Sequence, residues 1–479
     1  MFAKLESTPL VKYHIVTLGC PKNSVDSEGM DAILQARGHV AVEEQDKADV
    51  IIVNTCGFIA EARTEALGVL HDIAKQKHPT QYLIGAGCMA QSHEHLIRAI
   101  PGVDTTLSTR QWTTIAEVVE SPWRYGTCQR QRQPSPASLP SLSSTASSEQ
   151  SSCERSLSYR DWRTTPIRRM GGDVSAYVKI SDGCNIRCAF CTIPNIKGNM
   201  RSKEPDDVVQ EVRELVERGV EEIVLVAQHL TDYGRDLGMK EGLATLLERI
   251  SAILPTTTWL RLMYAYPIGI TSRLIETMAN TPQICAYLDL PLQHAHPDTL
   301  RRMNRPADVE RTKETIAKLR DALPQIALRS TFIVGFPGET EEEFVTLLDF
   351  LDEMQFDWVG AFRYSKEEGT PAADLPGQKN TRLINQRWHR VMQQQQPISL
   401  ARNQQWVGKD LDVLIEGQGI TDDGQTLVVG RSFREAPGID GQLLLWGDAP
   451  IGTRVQAHII DATPYDLWGE LNQCPAVVE

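Results

Sequence analysis

No stretch of the 479-residue sequence approaches eighteen consecutive apolar residues, so no transmembrane helix is expected. The opening MFAKLESTPLVKYHIV lacks the apolar core of a secretory leader, and a cytoplasmic location is expected. Positive charge is also in short supply, with a formal net charge of −13. A protein that grips a nucleic-acid backbone usually carries a basic face. The acidic balance favours a basic protein partner or a small substrate over nucleic acid or a membrane. There is no long-period internal repeat. In a reducing compartment the ten cysteines are poor candidates for disulfides and better ones for metal binding or catalysis. The remaining composition, 41% hydrophobic and 23% charged, is that of a globular chain of two to four domains.

The expected fold class is α/β. Residues 1–120 alternate short apolar runs (13–19, 49–55 and 82–87) with helical patterns, the rhythm of a parallel sheet. Residues 121–172 are rich in Ser and Pro and read as a linker or insert, with Cys128 and Cys153 as exposed bystanders. From 173 to 405 the rhythm resumes, with strands expected at 176–180, 222–227, 259–266, 286–292, 327–335 and 358–364. Six β/α units are too few for an eight-unit barrel, so a partial (βα)6 barrel is expected, closed by a long polar helix. Residues 406–475 hold five short strands between Gly- and Asp-rich turns, the pattern of a small antiparallel, OB-like β-barrel.

A fourth cysteine is missing where one would be expected. The stretch ISDGCNIRCAFCTIP (180–194) holds Cys184, Cys188 and Cys191 as C-x3-C-x2-C, with no fourth nearby. Cysteine metal sites normally close with four ligands. One reading is structural zinc, with His294 or His296 as the fourth ligand. The other is a 4Fe–4S cluster whose fourth iron is left open to a substrate. Zinc sites tend to pair C-x2-C twice, which a lone compact triplet matches poorly.

A second triplet is dispersed. Cys20 lies in TLGCPKNSVDSE, Cys56 in VNTCGF and Cys88 in GAGCMAQ, each a residue or two beyond an expected strand. In a parallel sheet such positions share the carboxyl edge, where ligands bind. Neighbouring strands are about 5 Å apart, so their side chains can converge. This suggests a second three-thiolate site; the alternative is core cysteines without metal.

Several other signals read as structural. The acids of GETEEEF suit a capping box of Thr340 and Glu343 better than a divalent metal. LQHAH reads as a loop after a strand, near the active site, and His93 and His95 as helical neighbours that do not share a face. Cys285 reads as a small buried hydrophobe, Cys474 as part of a frayed tail, and QQQQ at 393–396 as polar helix surface.

C-x3-C-x2-C at the end of a first barrel strand resembles the radical S-adenosylmethionine superfamily. CNIRCAFCTIP, LPLQHAHPDTLRRMNR, STFIVGFPGETEEEF and YSKEEGTPAADLP further resemble core motifs of the methylthiotransferases, across nearly the whole chain outside 121–170. The resemblance implies two 4Fe–4S clusters. The one on Cys184, Cys188 and Cys191 would bind S-adenosylmethionine at its open iron and cleave it to a 5′-deoxyadenosyl radical. Phe190 would pack near the adenine or cover the cluster, and Gln228 would contact S-adenosylmethionine. The cluster on Cys20, Cys56 and Cys88 would carry sulfur, from which a methylthio group is delivered to a carbon radical. An electron donor such as flavodoxin and a sulfur source are implied as partners.

Two branches of that family differ in substrate. One modifies an adenosine in transfer RNA; the RimO-type branch modifies an aspartate β-carbon on the small-subunit ribosomal protein S-twelve. Residues 401–479 hold five Arg or Lys against twelve Asp or Glu, a net of −7. An RNA-binding barrel should be basic, whereas an acidic one suits a basic ribosomal protein. VGRSFREAPGIDG and ATPYDLWGEL also resemble the RimO-type barrel, a TRAM domain. An aspartate β-C–H bond is unactivated, so homolytic abstraction is a reasonable route. One departure is His229, where RimO-type sequences usually have Asp. A transfer-RNA methylthiotransferase and a non-catalytic iron–sulfur or zinc scaffold are the alternatives.

Overall fold

The computed structural model describes residues 10–124, 161–163, 174–421 and 424–472. Most of the expected linker, with Cys128 and Cys153, and also Cys474, lies outside the described residues.

The N-terminal domain is a parallel sheet of β1 (Lys12–Thr17), β2 (Val40–Ala41), β3 (Val50–Thr55), β4 (Tyr82–Gly87) and β5 (Thr105–Ser108), in the order β2-β1-β3-β4-β5. The alternation of side chains builds a core on each face. Val50, Ile52, Ile84 and Ala86 pack with Met30 and Trp112 on one side. Ile51, Val53 and Leu83 pack with Leu70 and Ile73 on the other. The three strands read from sequence are the central ones. The outer two carry little apolar signal: β2 is two residues long and β5 reads TTLS.

The second domain begins with β6 (Ser175–Lys179) and a small antiparallel pair, β7 (Ser181–Asp182) with β8 (Arg201–Ser202). It continues through β9 (Glu222–Val226), β10 (Trp259–Leu262), β11 (Tyr287–Gln293), β12 (Ala327–Val334) and β13 (Trp358–Arg363). Two parallel runs, β6-β9-β10 and β11-β12-β13, join through a single bridge between Leu260 and Ile284. The barrel is therefore partial. Ile223, Leu225, Leu260, Leu262, Leu288 and Leu290 turn outward to the helices. Val224, Val226, Met263 and Tyr287 line the lumen. The helix Thr381–Gln404 packs beside β13 and is not polar throughout. Within the run expected to be surface, Gln395 is buried and donates to the Phe356 carbonyl at 2.8 Å, because that strand-end carbonyl needs a partner. The capping box of Thr340 and Glu343 is formed.

The third domain is a closed barrel of β14 (Asp410–Ile420), β15 (Thr426–Arg431), β16 (Leu443–Trp446), β17 (Arg454–Ala462) and β18 (Leu467–Leu471). One pairing departs from the antiparallel expectation: β16 and β18 run parallel. The intervening β17 pairs antiparallel with both β14 and β18, so the chain returns beside β16 in the same direction.

The segment between β15 and β16, the SFREAPGIDG part of the barrel motif, closes the amino-terminal mouth of the partial barrel. Arg261 donates to the carbonyls of Ser432 (3.1 Å) and Phe433 (2.6 Å), and the Trp358 indole to that of Arg434 (3.1 Å). Tyr287 donates to Asp440 at 2.7 Å. Glu222, wholly buried, is shared by Arg261 (2.7 Å) and Arg431 (2.6 Å). Burial would raise the Glu222 carboxyl, but the two guanidiniums outweigh it and hold it down at about 2. Among the described residues no helix is long and apolar enough to cross a membrane.

Candidate functional site

Cys184, Cys188 and Cys191 lie on the loop that leaves β7 at the carboxyl end of the partial barrel, all half-buried. The turn is held by its backbone: Cys184 N–H donates to the Gly198 carbonyl, and Cys191 N–H to that of Cys188, both at 3.1 Å. Burial pushes the Cys184 and Cys191 thiols up, Cys191 to about 12, while the N–H groups of Ile186 and Ile193 oppose it. Cations offset that desolvation when such thiols ionise. One is at hand: Arg305 Nη1 is 3.9 Å from Cys188 Sγ, with its guanidinium over the Tyr266 ring at 4.2 Å. His294 faces Glu339 at 3.3 Å, and the His296 ring accepts from the Asp298 N–H.

Phe190 is half-buried, edge-on to Phe336 with centroids 6.5 Å apart. Gln228 donates from Nε2 to Asp182 at 2.8 Å, while its buried Oε1 has no hydrogen-bond partner. His229 is buried against the Tyr266 ring, centroids 4.7 Å apart, and neither ring nitrogen makes a hydrogen bond. Burial holds its pKa down at about 4, so the imidazole is neutral near pH 7.

The other three cysteines sit on three adjacent strands, β1, β3 and β4. Cys20 caps the helix Pro21–Ala36 that follows β1, Cys56 comes directly after β3, and Cys88 opens the short helix Cys88–Ser92 after β4. Gly19 makes the approach possible. Its φ is +96°, and a Cβ there would lie 2.7 Å from the Cys56 Cβ. Asn23 ties the edge together, donating to the carbonyls of Leu18 (2.9 Å) and Thr55 (3.3 Å), and its Oδ1 accepts from the Cys88 thiol at 3.6 Å. Burial pushes Cys88 up to about 12. His93 and His95 differ from expectation in one respect: His93 is the junction between two short helices, where the chain bends.

The two carboxyl edges meet. Thr192, next to Cys191, donates to the carbonyl of Phe58, two residues beyond Cys56, at 3.4 Å. The Ala60 N–H donates to Glu367 at 3.0 Å, and Arg63 pairs with the same carboxylate. Arg110 donates to the carbonyls of Ile196 and Asn195, both at 2.8 Å. Beneath these contacts is a buried charge cluster: Asp26 of the N-terminal domain and Asp182 of the barrel share Lys179 and Lys197. Lys22 reaches across the same boundary, its ammonium 3.7 Å above the Tyr264 ring. The sequence reading missed Asn23, Lys22 and this cluster, although a signal was present. Lys22, Asn23 and Asp26 share a helix face directly after Cys20, and Lys179 interrupts an otherwise apolar strand.

Residues 178–351 match the radical SAM superfamily, residues 12–108 the family described as uncharacterized protein family UPF0004, and residues 407–471 the TRAM domain. Among solved structures, the radical S-adenosylmethionine methyltransferase TsrM from Kitasatospora setae shares the fold. Its TM-score is 0.53 at 14% identity, covering 76% of this chain and 74% of that one. Fold and sequence together define a radical S-adenosylmethionine enzyme, a class that works with a 4Fe–4S cluster and S-adenosylmethionine. The ribosomal protein uS12 methylthiotransferase RimO of Roseiflexus sp. is 58% identical over 97% of this chain and 98% of its own length. That of Chloroflexus aurantiacus is 60% identical over 96% and 99%. The chain belongs to this family, the RimO methylthiotransferases.

Proposed function

We propose that the enzyme places a methylthio group on the β-carbon of an aspartate of ribosomal protein uS12 (S-twelve). In this reading Cys184, Cys188 and Cys191 hold the radical cluster, and Cys20, Cys56 and Cys88 hold a second 4Fe–4S cluster. The observation that carries it is the meeting of two three-thiol edges at one interface, with Thr192 bonded to the Phe58 carbonyl. The donor sets suit cuboidal clusters better than single zinc ions. Tetrahedral zinc draws its thiolates to roughly 3.8 Å apart. Among the described residues, the group whose donors close to within 4.8 Å is His296, Asp298 and Glu343, and the cysteine triplets are spread wider.

When bound, the clusters supply the electron that cleaves S-adenosylmethionine and the sulfur that is transferred. The chain's own residues do the rest. The contacts of Arg63, Arg110 and the Asp26 cluster seal the boundary against water, which would quench a carbon radical. Arg305 offsets negative charge beside Cys188. Phe190 walls the cluster loop against Phe336, and Gln228 keeps an unpartnered Oε1 for S-adenosylmethionine.

Substrate docking falls to the third domain. Its arginines face inward or are paired: Arg431 to Glu222, Arg434 to Asp357, Arg454 to Asp412. Asp410, Asp412, Asp448, Asp461 and Glu470 are exposed, against Lys409 and His458 among the exposed basic residues of that barrel's described part. Such a surface attracts a basic protein and repels a phosphate backbone. An external electron donor such as flavodoxin and a sulfur source complete the cycle, in the cytoplasm. The test is mass spectrometry of uS12 and of transfer RNA after incubation with reconstituted enzyme, reductant and S-adenosylmethionine. The expected result is a methylthio group on one aspartate of uS12. Modified adenosine with unmodified uS12 would overturn the reading in favour of the transfer-RNA branch.

A further inference from the structure

Lys22 is a boundary residue whose chemistry the reading above leaves unused. It lies in the first turn of the helix that Cys20 caps, so ammonium and thiol belong to one rigid unit. The side chain is only 9% exposed, and among the described residues no carboxylate pairs with it. The neighbouring acids are engaged elsewhere. Asp26 and Asp182 are taken by Lys179 and Lys197, and Asp182 also accepts from Gln228. Asp289 is taken by Arg329 at 3.0 Å and by the Tyr264 N–H at 3.2 Å. The described contact of the ammonium is the face of the Tyr264 ring. A ring face offsets part of the desolvation of a buried cation.

The ring itself is held deliberately. Tyr264 has φ +64°, a left-handed conformation that a tyrosine adopts only when its surroundings fix it. Its N–H donates to Asp289 at 3.2 Å and its carbonyl accepts from the Leu230 N–H at 3.1 Å, which hold that conformation. Two residues further on, Tyr266 stacks under Arg305 beside Cys188. Lys22 therefore lies at the boundary beside the Cys20 edge and over Tyr264, a cation that no carboxylate pairs with among the described residues.

We infer that Lys22 is the receptor for the side-chain carboxylate of the target aspartate, and so a specificity-determining residue. This rests on the aspartate reading above. The β-carbon bears that carboxylate directly, so an ammonium that holds the carboxylate fixes the β-carbon one bond away. Because Lys22 and Cys20 share a helical turn, the same grip sets the β-carbon relative to the Cys20, Cys56 and Cys88 edge. An asparagine at the target would present a neutral amide and lose the charge-assisted bond.

The test is equilibrium binding of uS12 and of uS12 with the target Asp→Asn, to holoenzyme carrying Lys22, Lys22→Met or Lys22→Arg. The native enzyme should prefer the aspartate form by about tenfold or more. Lys22→Met should bring the ratio close to one, and Lys22→Arg should restore most of it. Two results would overturn the inference: a native enzyme that binds both forms alike, or a Lys22→Met enzyme that keeps the preference. Loss of S-adenosylmethionine affinity alongside a kept preference would assign the ammonium to the carboxylate of S-adenosylmethionine instead. The native comparison needs no variant, so a Lys22→Met protein that fails to fold leaves the inference exposed to refutation. Native enzyme that leaves uS12 unmodified would sink the aspartate reading itself; native enzyme that modifies uS12, with Lys22→Met equally selective, would sink only the role of Lys22.

Discussion

The hydroxyl of Thr192 donates to the carbonyl of Phe58, joining the residue after Cys191 to the loop that leaves Cys56. That bond spans two domains far apart in sequence, and it lies among contacts whose removal should be measurable.

The charge cluster beneath it predicts the largest stability effect. Asp26→Asn would leave Lys179 and Lys197, both buried, sharing Asp182 alone. Breaking a buried ion pair by removing one partner costs about 3–5 kcal/mol. Thermal unfolding should show a lower Tm for Asp26→Asn, with the N-terminal domain more open to proteolysis.

Glu222 predicts an acid-dependent undocking of the third domain. Its folded pKa, about 2, lies below the ordinary glutamate value of 4.5. The folded state therefore binds fewer protons than the unfolded one, and the stability contributed is present above pH 4.5 and lost as pH falls toward 2. Glu222→Gln should remove this part of the acid dependence. At neutral pH it should also cost about 3–5 kcal/mol, since Arg261 and Arg431 stay buried. Denaturant titrations at pH 7 and pH 4 check both.

His229 predicts a slope of the same sign in a different window. Burial holds it near 4, below the ordinary histidine value of 6.5, with Asp232, Arg305 and Arg235 as the charges around it. Stability should fall as pH drops from 6.5 toward 4. His229→Gln should flatten that slope, read by urea unfolding at pH 7 and pH 5.

The acidic strip of the third domain predicts salt-sensitive docking. Asp410 on β14 pairs across to His458 on β17, which pairs to Glu470 on β18, so the charges line one surface. Replacing Asp410, Asp412 and Glu470 with Lys should weaken uS12 binding by about tenfold at low salt, and by less as salt screens the surface. Cleavage of S-adenosylmethionine without uS12 should be unchanged.

Much of this molecule was legible before folding. The apolar runs VIIVNT and YLIGAG became central strands because a strand buried on both faces needs no alternation. The carboxyl-edge placement of Cys20, Cys56 and Cys88 was legible because position after a parallel strand fixes which edge a residue occupies. The edge strands β2 and β5 were not, since two residues and a run of TTLS carry no apolar signal. The Asp26 cluster was hidden for another reason. Asp26 lies more than 150 residues from Lys179 and Lys197, so the local signals, a shared helix face after Cys20 and a lysine in an apolar strand, do not say that these charges pair. The parallel turn of β18 against β16 was equally invisible, because strand direction depends on where the chain has already been.

The central claim is that the two triplets hold separate clusters with separate tasks. Reconstituted enzyme should hold about eight irons, and either triplet changed to Ala about four. The most direct test is the enzyme with Cys20, Cys56 and Cys88 all changed to Ala, assayed with uS12 and S-adenosylmethionine. It should still form 5′-deoxyadenosine yet leave uS12 without a methylthio group by mass spectrometry. Methylthiolated uS12 from that variant would contradict the account.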